Sequence, residues 1–310
     1  MNDPGRSKPI LVTGTHRSGT TWVGRMIASS LNVFYIQEPF NLLHERGICN
    51  IEFKYWFTYI SSRNEMPYLD GLTKTIRLDY DLPAQIKSAH TYKQFLRGMH
   101  NSGQFKLAQI KHLRPLLKDP IALFSTEWLN KRFGVIPVVM IRHPAAFAGS
   151  LREKMWTFPF SHFLEQKELM EDLLSPFASE IAVFASKEQD VLEQASLLWK
   201  IFHYVILQFK REHPDWIFLR HEDLSLNPMQ GFSSLFQTLG LEFTAQTAQI
   251  ITTYSSEETG RAVKKALRDL HRDSQKNILA WKKRLTQKEI TEIRNRVESI
   301  SSEFYTTKEW

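Results

Sequence analysis

The sequence predicts an α/β fold of three layers, a central parallel sheet flanked by helices. Three observations carry this. Short apolar runs that read as buried strands alternate with longer stretches of helical spacing, as a parallel sheet requires. A glycine-bounded loop, Gly14-Thr15-His16-Arg17-Ser18-Gly19-Thr20-Thr21, follows the first such run and precedes the first helical stretch. Strand, loop, helix and second strand are complete within about thirty residues, the size of one βαβ unit.

Residues 9–13 form the first strand, an unbroken apolar run of the kind buried on both faces. Trp22, Val23, Met26, Ile27 and Leu31 recur at helical spacing and predict a helix over 20–31; residues 33–36 read as the second strand. Residues 41–100 are aromatic-rich and without clear period, and read as an irregular insertion. Beyond it the pattern predicts a strand over 114–118, a helix over 123–133 and a strand over 135–141. Pro137 is an awkward residue for a central strand. Helices follow over 145–154 and 191–212, the latter with Leu198, Phe202, Val205 and Phe209 on one face. Residues 216–219 are a strand. Asn227 is expected to cap a helix that opens at Pro228 and stops at Gly240, and Thr286 with Glu289 to form a capping box for the last helix.

The chain has 310 residues, 42% hydrophobic and 24% charged, enough for a sizeable core and compatible with one domain over 1–310. A net charge of +7 suits an anionic ligand, an anionic polymer or a membrane surface. No block of like charges resembles a nucleic-acid-binding tail, so no nucleic-acid partner is expected. Cys49 is the only cysteine, which excludes an internal disulfide and a zinc site built on several thiolates. The first residues lack the apolar stretch of a signal peptide and no segment is long enough to span a bilayer. A cytoplasmic protein is expected, with peripheral membrane contact allowed.

The loop at 14–21 is where chemistry is legible. Its glycines let the chain curl so that backbone N–H groups point inward, and the following helix adds the partial positive charge of its N-terminus. Thr20 and Thr21 add hydroxyls. The nucleotide-hydrolase pattern G-x-x-x-x-G-K-[ST] would place lysine where Thr20 stands; here the cation is Arg17, inside the loop. The later strand ends in Arg142-His143-Pro144, without the carboxylate that would help hold magnesium. The pattern points to a phosphate-ester site with no metal.

Arg17-Ser18-Gly19-Thr20-Thr21-Trp22 resembles the 5′-phosphosulfate loop of the sulfotransferases that use 3′-phosphoadenosine 5′-phosphosulfate (PAPS). Arg142 at a strand end and Ser150 eight residues later resemble the family's 3′-phosphate motif. The resemblance is closest to the tyrosylprotein and the bacterial or carbohydrate types. It implies a P-loop-type fold, PAPS as donor, PAP as product and no metal. It further implies that Arg17, Ser18, Gly19, Thr20, Thr21 and Trp22 hold one end of the donor, and Arg142, Ser150 and Lys154 (or Arg152) the other. Lys118-Asp119-Pro120 resembles an element whose lysine stabilises the transition state. Glu38 stands where related enzymes carry their general base, His221 where a tyrosine touches the donor, and Ser274 where a serine approaches the sulfate bridge. His16 is the alternative base.

Arginine gives phosphate a charge-assisted fork, and serine adds a hydroxyl donor. The acceptor implied is a molecule with a hydroxyl group, and a sugar or glycolipid is expected from the aromatic insertion and basic balance. Two other readings stay open: a magnesium-dependent kinase or NTPase, and a polyanion or nucleotide binder without catalysis.

Overall fold

The computed structural model describes residues 7–255 and 278–310. Strands β1 (Ile10–Gly14), β2 (Val33–Gln37), β3 (Arg114–Lys118), β4 (Ile136–Ile141) and β5 (Ile217–Arg220) form a parallel sheet in the order β2-β3-β1-β4-β5. Helices flank it, so the fold class is the α/β one the sequence predicts. Pro137 is tolerated because it is the second residue of β4, where the strand begins. The chain forms two compact units, Met1–Thr13 with Leu31–Val138, and Gly14–Ser30 with Val139–Trp310.

In the first unit β3 pairs in parallel with both β1 and β2. Ile10, Leu11, Val12, Leu116 and Leu117 are wholly buried, which is why these strands read as continuous apolar runs. The register aligns Val12 with Lys118 and Lys118 with Gln37, so β1 runs two residues past the level at which β2 and β3 end. Glu38 and Asp119 begin where those strands stop, and their backbone N–H groups donate to Lys118 O and Val12 O, both at 2.9 Å.

The segment expected to be irregular contains three helices, Met66–Ile76, Leu82–Ser88 and Tyr92–Ile110. Their start signals are local: Pro67 in the first turn, an Asp81 cap accepting from Ala84 N, and a Thr91–Gln94 capping box. The aromatic cluster that obscured them is internal packing. Phe53 stacks on Phe40 and Tyr68, with ring centroids at 4.9 and 5.7 Å. The helix expected over 123–133 is α-helical only from Thr126 to Phe133. Before it, Pro120–Ser125 winds as a 3₁₀ turn capped by Asp119. The first helix, in the other unit, stops at Ile27 rather than Leu31, where Ser29 Oγ donates back to Met26 O at 2.6 Å.

The second unit is built around the Val191–Glu212 helix, capped by Asp190 and burying Trp199, Phe202, Val205 and Phe209. It packs against Pro144–Lys154 and Gln287–Ser301. Ala145, Ala146, Ala148 and Gly149 are buried in the former, and small side chains of this kind permit close approach. The Thr286–Glu289 capping box forms as expected, and Gly240 closes Pro228–Thr238 at φ +64°. Asn227 corrects an expectation. It occupies the N-cap position of that helix but makes no side-chain cap bond, because it also ends the preceding helix, donating its backbone N–H to Asp223 O at 3.2 Å. Among the described residues no helix is long and apolar enough to cross a membrane.

Two buried histidines of this unit are held neutral. His203 stacks on Trp199 at 3.8 Å, and burial lowers its pKa to about 3 despite a hydrogen bond to Trp199 O. His143 lies between Trp281, Tyr305 and Trp310, and burial lowers its pKa to about 3 as well.

Gly14 closes β1 at φ +132°, and a Cβ there would stand 2.4 Å from Met140 O. Gly14→Ala is therefore expected to destabilise the fold by about 3 kcal/mol or more, read from denaturant midpoints. The histidines set a pH dependence. Their folded pKa values lie below the unfolded value near 6.5, so stability is complete above it and falls as pH drops towards 3. Unfolding midpoints are expected to decline between pH 6.5 and 4, less steeply in His203→Phe.

Candidate functional site

In the second unit the chain leaves β1 and turns through the loop at 14–19 with three residues in the left-handed region, Gly14, Arg17 (φ +64°) and Gly19 (φ +94°). Ser18 ties the curl together: its N–H and its hydroxyl both donate to Thr15 O, at 3.2 and 2.5 Å. The helix Thr20–Ile27 then starts without a side-chain cap and without an acidic residue in its first turn. Its first backbone bond runs from Val23 N to Gly19 O at 3.1 Å, so the amides of Thr20, Thr21 and Trp22 face out of the helix end. Such an end attracts an anion. The buried hydroxyl of Thr15 has no partner among the described residues.

Arg142 and Ser150 meet this loop. Arg142 follows β4, and its Nη1 donates to the carbonyl of Arg17. Its own carbonyl accepts from Trp199 Nε1 at 2.8 Å, which fixes the strand end. Ser150, buried in the Pro144–Lys154 helix, accepts from Arg17 Nε at 2.8 Å. Two residues far away in sequence thus converge on Arg17 of the loop. Trp156, half exposed, lies beneath the Arg17 guanidinium at 5.6 Å.

The other predicted residues of this unit are placed as follows. Trp22 is buried, edge-on to Phe232 (5.1 Å) and His221 (5.7 Å), and forms the wall behind the helix start. His221 sits against the loop: a Cβ on Gly19 would lie 2.7 Å from its Nδ1. Arg152 is ion-paired with Glu289, while Lys154 is exposed in the last turn of its helix. His16 packs between Phe147 and Phe202, and burial, then Arg17, lowers its pKa to about 4, which leaves it neutral at pH 7. Ser274 lies outside the described residues.

In the first unit Glu38, Lys118 and Asp119 form a second cluster. Lys118 is 1% exposed, and its ammonium pairs with Glu38 Oε1. Glu38 Oε2 accepts from Asn41 Nδ2 at 2.8 Å. Glu38 itself adopts φ +47°, uncommon for a residue with a side chain. The turn is clamped by Asp119, whose carboxylate accepts from Phe40 N (2.7 Å) and Ile121 N (3.0 Å). Burial raises the Asp119 pKa to about 7; the Phe40 N–H pulls it down, Glu38 pushes it up and Lys118 opposes Glu38.

Sequence reasoning missed the supports. Asp119 positions the Glu38 turn, Asn41 orients the carboxylate, and Trp199 fixes the strand end at Arg142. Glu222 is buried; it accepts from His143 N through one oxygen and from the Tyr305 hydroxyl through the other, both at 3.0 Å, holding the backbone just after Arg142. An acidic residue between a strand and a proline (Asp119) was the available signal; Glu222, flanked by His221 and Asp223, carried none.

Solved structures similar to this chain include the sulfotransferase domain of the Synechococcus PCC 7002 olefin synthase, at 14% identity and TM-score 0.49, covering 95% of this chain and 96% of that one. The sulfotransferase domain of the curacin biosynthetic pathway is 17% identical with TM-score 0.49, covering 95% and 99%. Sulfotransferase STF1 from Mycobacterium tuberculosis H37Rv is 14% identical with TM-score 0.45, covering 96% and 78%. No curated protein matches the chain. The model of the sulfotransferase domain matches residues 7–299, nearly the whole length. The chain therefore belongs to the sulfotransferase domain family and is an enzyme of sulfuryl transfer.

Proposed function

We propose that this enzyme takes its sulfuryl group from PAPS and delivers it to a carbohydrate hydroxyl, on a sugar or glycolipid, with Glu38 as general base. The convergence of Arg17, Arg142 and Ser150 on an uncapped helix start carries the reading. PAPS is anionic at both ends, and the donor set fits it: two guanidinium groups, the hydroxyls of Thr20, Thr21 and Ser150, and loop amides, with no carboxylate in the loop or the first helical turn. Arg17, Ser18, Gly19, Thr20 and Thr21 would hold the 5′-phosphosulfate. Arg142 and Ser150 would hold the 3′-phosphate, aided by Lys154, since the charge of Arg152 is engaged by Glu289. Trp22 and His221 back the loop.

PAPS supplies an activated sulfuryl group that is displaced in line. The protein's share is positioning and charge. Glu38 takes the acceptor's proton on a carboxylate oxygen; Asn41 and the Asp119-clamped turn hold that carboxylate in place. His16 is enclosed by Phe147 and Phe202, which favours Glu38 as the group that meets the acceptor. Arg17, the buried ammonium of Lys118 and the loop amides offset charge on the departing side, and Ser274 donates to the bridging oxygen. Trp156, exposed beside Arg17, offers a flat apolar surface of the kind that stacks on sugar rings. We place the enzyme in the cytoplasm.

Calorimetry without magnesium is expected to show PAP binding. Arg142→Ala should weaken it roughly tenfold to hundredfold, from loss of charge-assisted hydrogen bonds. The loss should vanish with an analogue lacking the 3′-phosphate; wild-type protein that binds PAP and this analogue equally would remove the role given to Arg142. Glu38→Gln should leave PAP affinity intact and lower transfer of labelled sulfate from PAPS to acceptors in cell extracts by roughly 10²–10⁴. Unchanged transfer in that variant would dismiss Glu38 as the base.

A further inference from the structure

The Tyr92–Ile110 helix of the first unit has two apolar ridges where a surface helix needs one. The inner ridge is buried: Phe105 packs on Phe34 (4.8 Å) and Tyr80 (5.2 Å), beside Gly98 and Ala108. The outer ridge consists of Tyr92, Leu96, Met99, Leu107 and Ile110, each at least 44% exposed. With Gly103 these positions recur every three or four residues and form one straight stripe about 27 Å long.

Charge borders the stripe. At 100° per residue, Lys93, Arg97 and the C-cap Lys111 run along one side and Lys106 along the other. The helix contains no aspartate or glutamate. Arg97 is engaged by Glu45 at 3.4 Å; Lys93, Lys106 and Lys111 are exposed. Neighbouring Leu82–Ser88 adds exposed Ile86 and Lys87.

From this geometry we infer that the Tyr92–Ile110 helix is a peripheral membrane-docking surface for bilayers rich in anionic lipid. Its apolar stripe enters the boundary between headgroups and acyl chains, and its lysines meet lipid phosphates. Charge complementarity selects this occupant. A second copy packed stripe to stripe would set lysine borders against each other, whereas an anionic bilayer neutralises them. The chain would thus work on acceptors presented at a membrane surface. This does not depend on the identity of donor or base.

The test is flotation of the full chain with vesicles of phosphatidylcholine alone and of equal parts phosphatidylcholine and phosphatidylglycerol. The protein is expected to float with the mixed vesicles, less so at high salt, and little with the neutral ones. Leu96→Glu with Leu107→Glu should reduce binding about tenfold or more. Lys93→Glu, Lys106→Glu and Lys111→Glu should each reduce it about fivefold. Because the lysines are exposed, their variants should keep the wild-type melting temperature, and they decide the matter even if the leucine pair impairs folding. Absence of flotation by the wild-type chain, or flotation that none of these substitutions changes, overturns the inference. So does a dimer in sedimentation equilibrium that Leu96→Glu dissolves, which would assign the stripe to a second copy.

Discussion

The bond from the Arg142 guanidinium to the carbonyl of Arg17 joins the end of one strand to the crest of the loop that follows another. Most of the second unit's site depends on it. The loop holds three residues in left-handed backbone, one of them an arginine, a conformation that costs about a kilocalorie per mole or more for a residue with a side chain. Such a turn persists where its surroundings over-determine it. Ser18 binds it internally, Arg142 from the adjacent strand, Ser150 through the Arg17 side chain, and His221 and Trp22 from behind. Arg142 is in turn anchored at its carbonyl by Trp199 and, one residue on, by Glu222.

In the first unit the governing constraint is strand register. Because Val12, Lys118 and Gln37 lie at one level, the residues that follow them gather at the carboxyl ends of the strands, where open α/β sheets carry their chemistry. A lysine as buried as Lys118 needs a counter-charge, and Glu38 supplies it. Asp119 then restrains the turn on which Glu38 sits. Its raised pKa records the tension between burial, which disfavours its charge, and the two N–H donors that favour it.

The parts legible in the sequence were those with local causes. The apolar strands, the glycine-bounded loop, the Thr286–Glu289 box and the Gly240 stop are each specified within a few residues and appear as expected. The sheet order and the pairing of Arg17 with Ser150, 133 positions apart, have no local signature; only the resemblance of the two motifs linked them. The helices between 66 and 110 carry ordinary cap signals, but the dense aromatic residues around them follow no helical period. Asn227 looked like a cap and is not one, since a single backbone conformation there must finish one helix before it can begin the next.

Arg17 is tied twice, its carbonyl to Arg142 and its side chain to Ser150, and these ties to a remote stretch of chain shape how this protein can vary over generations. Replacing the Arg17 side chain strips Ser150 of its partner, so a second replacement at Ser150 costs less than it would alone, whereas the bond from Arg142 to the Arg17 carbonyl survives. Drift is thereby discouraged at the first step and tolerated at the next. A lineage that alters what this loop accepts would be expected to change Arg17 and Ser150 together, with Arg142 free to persist.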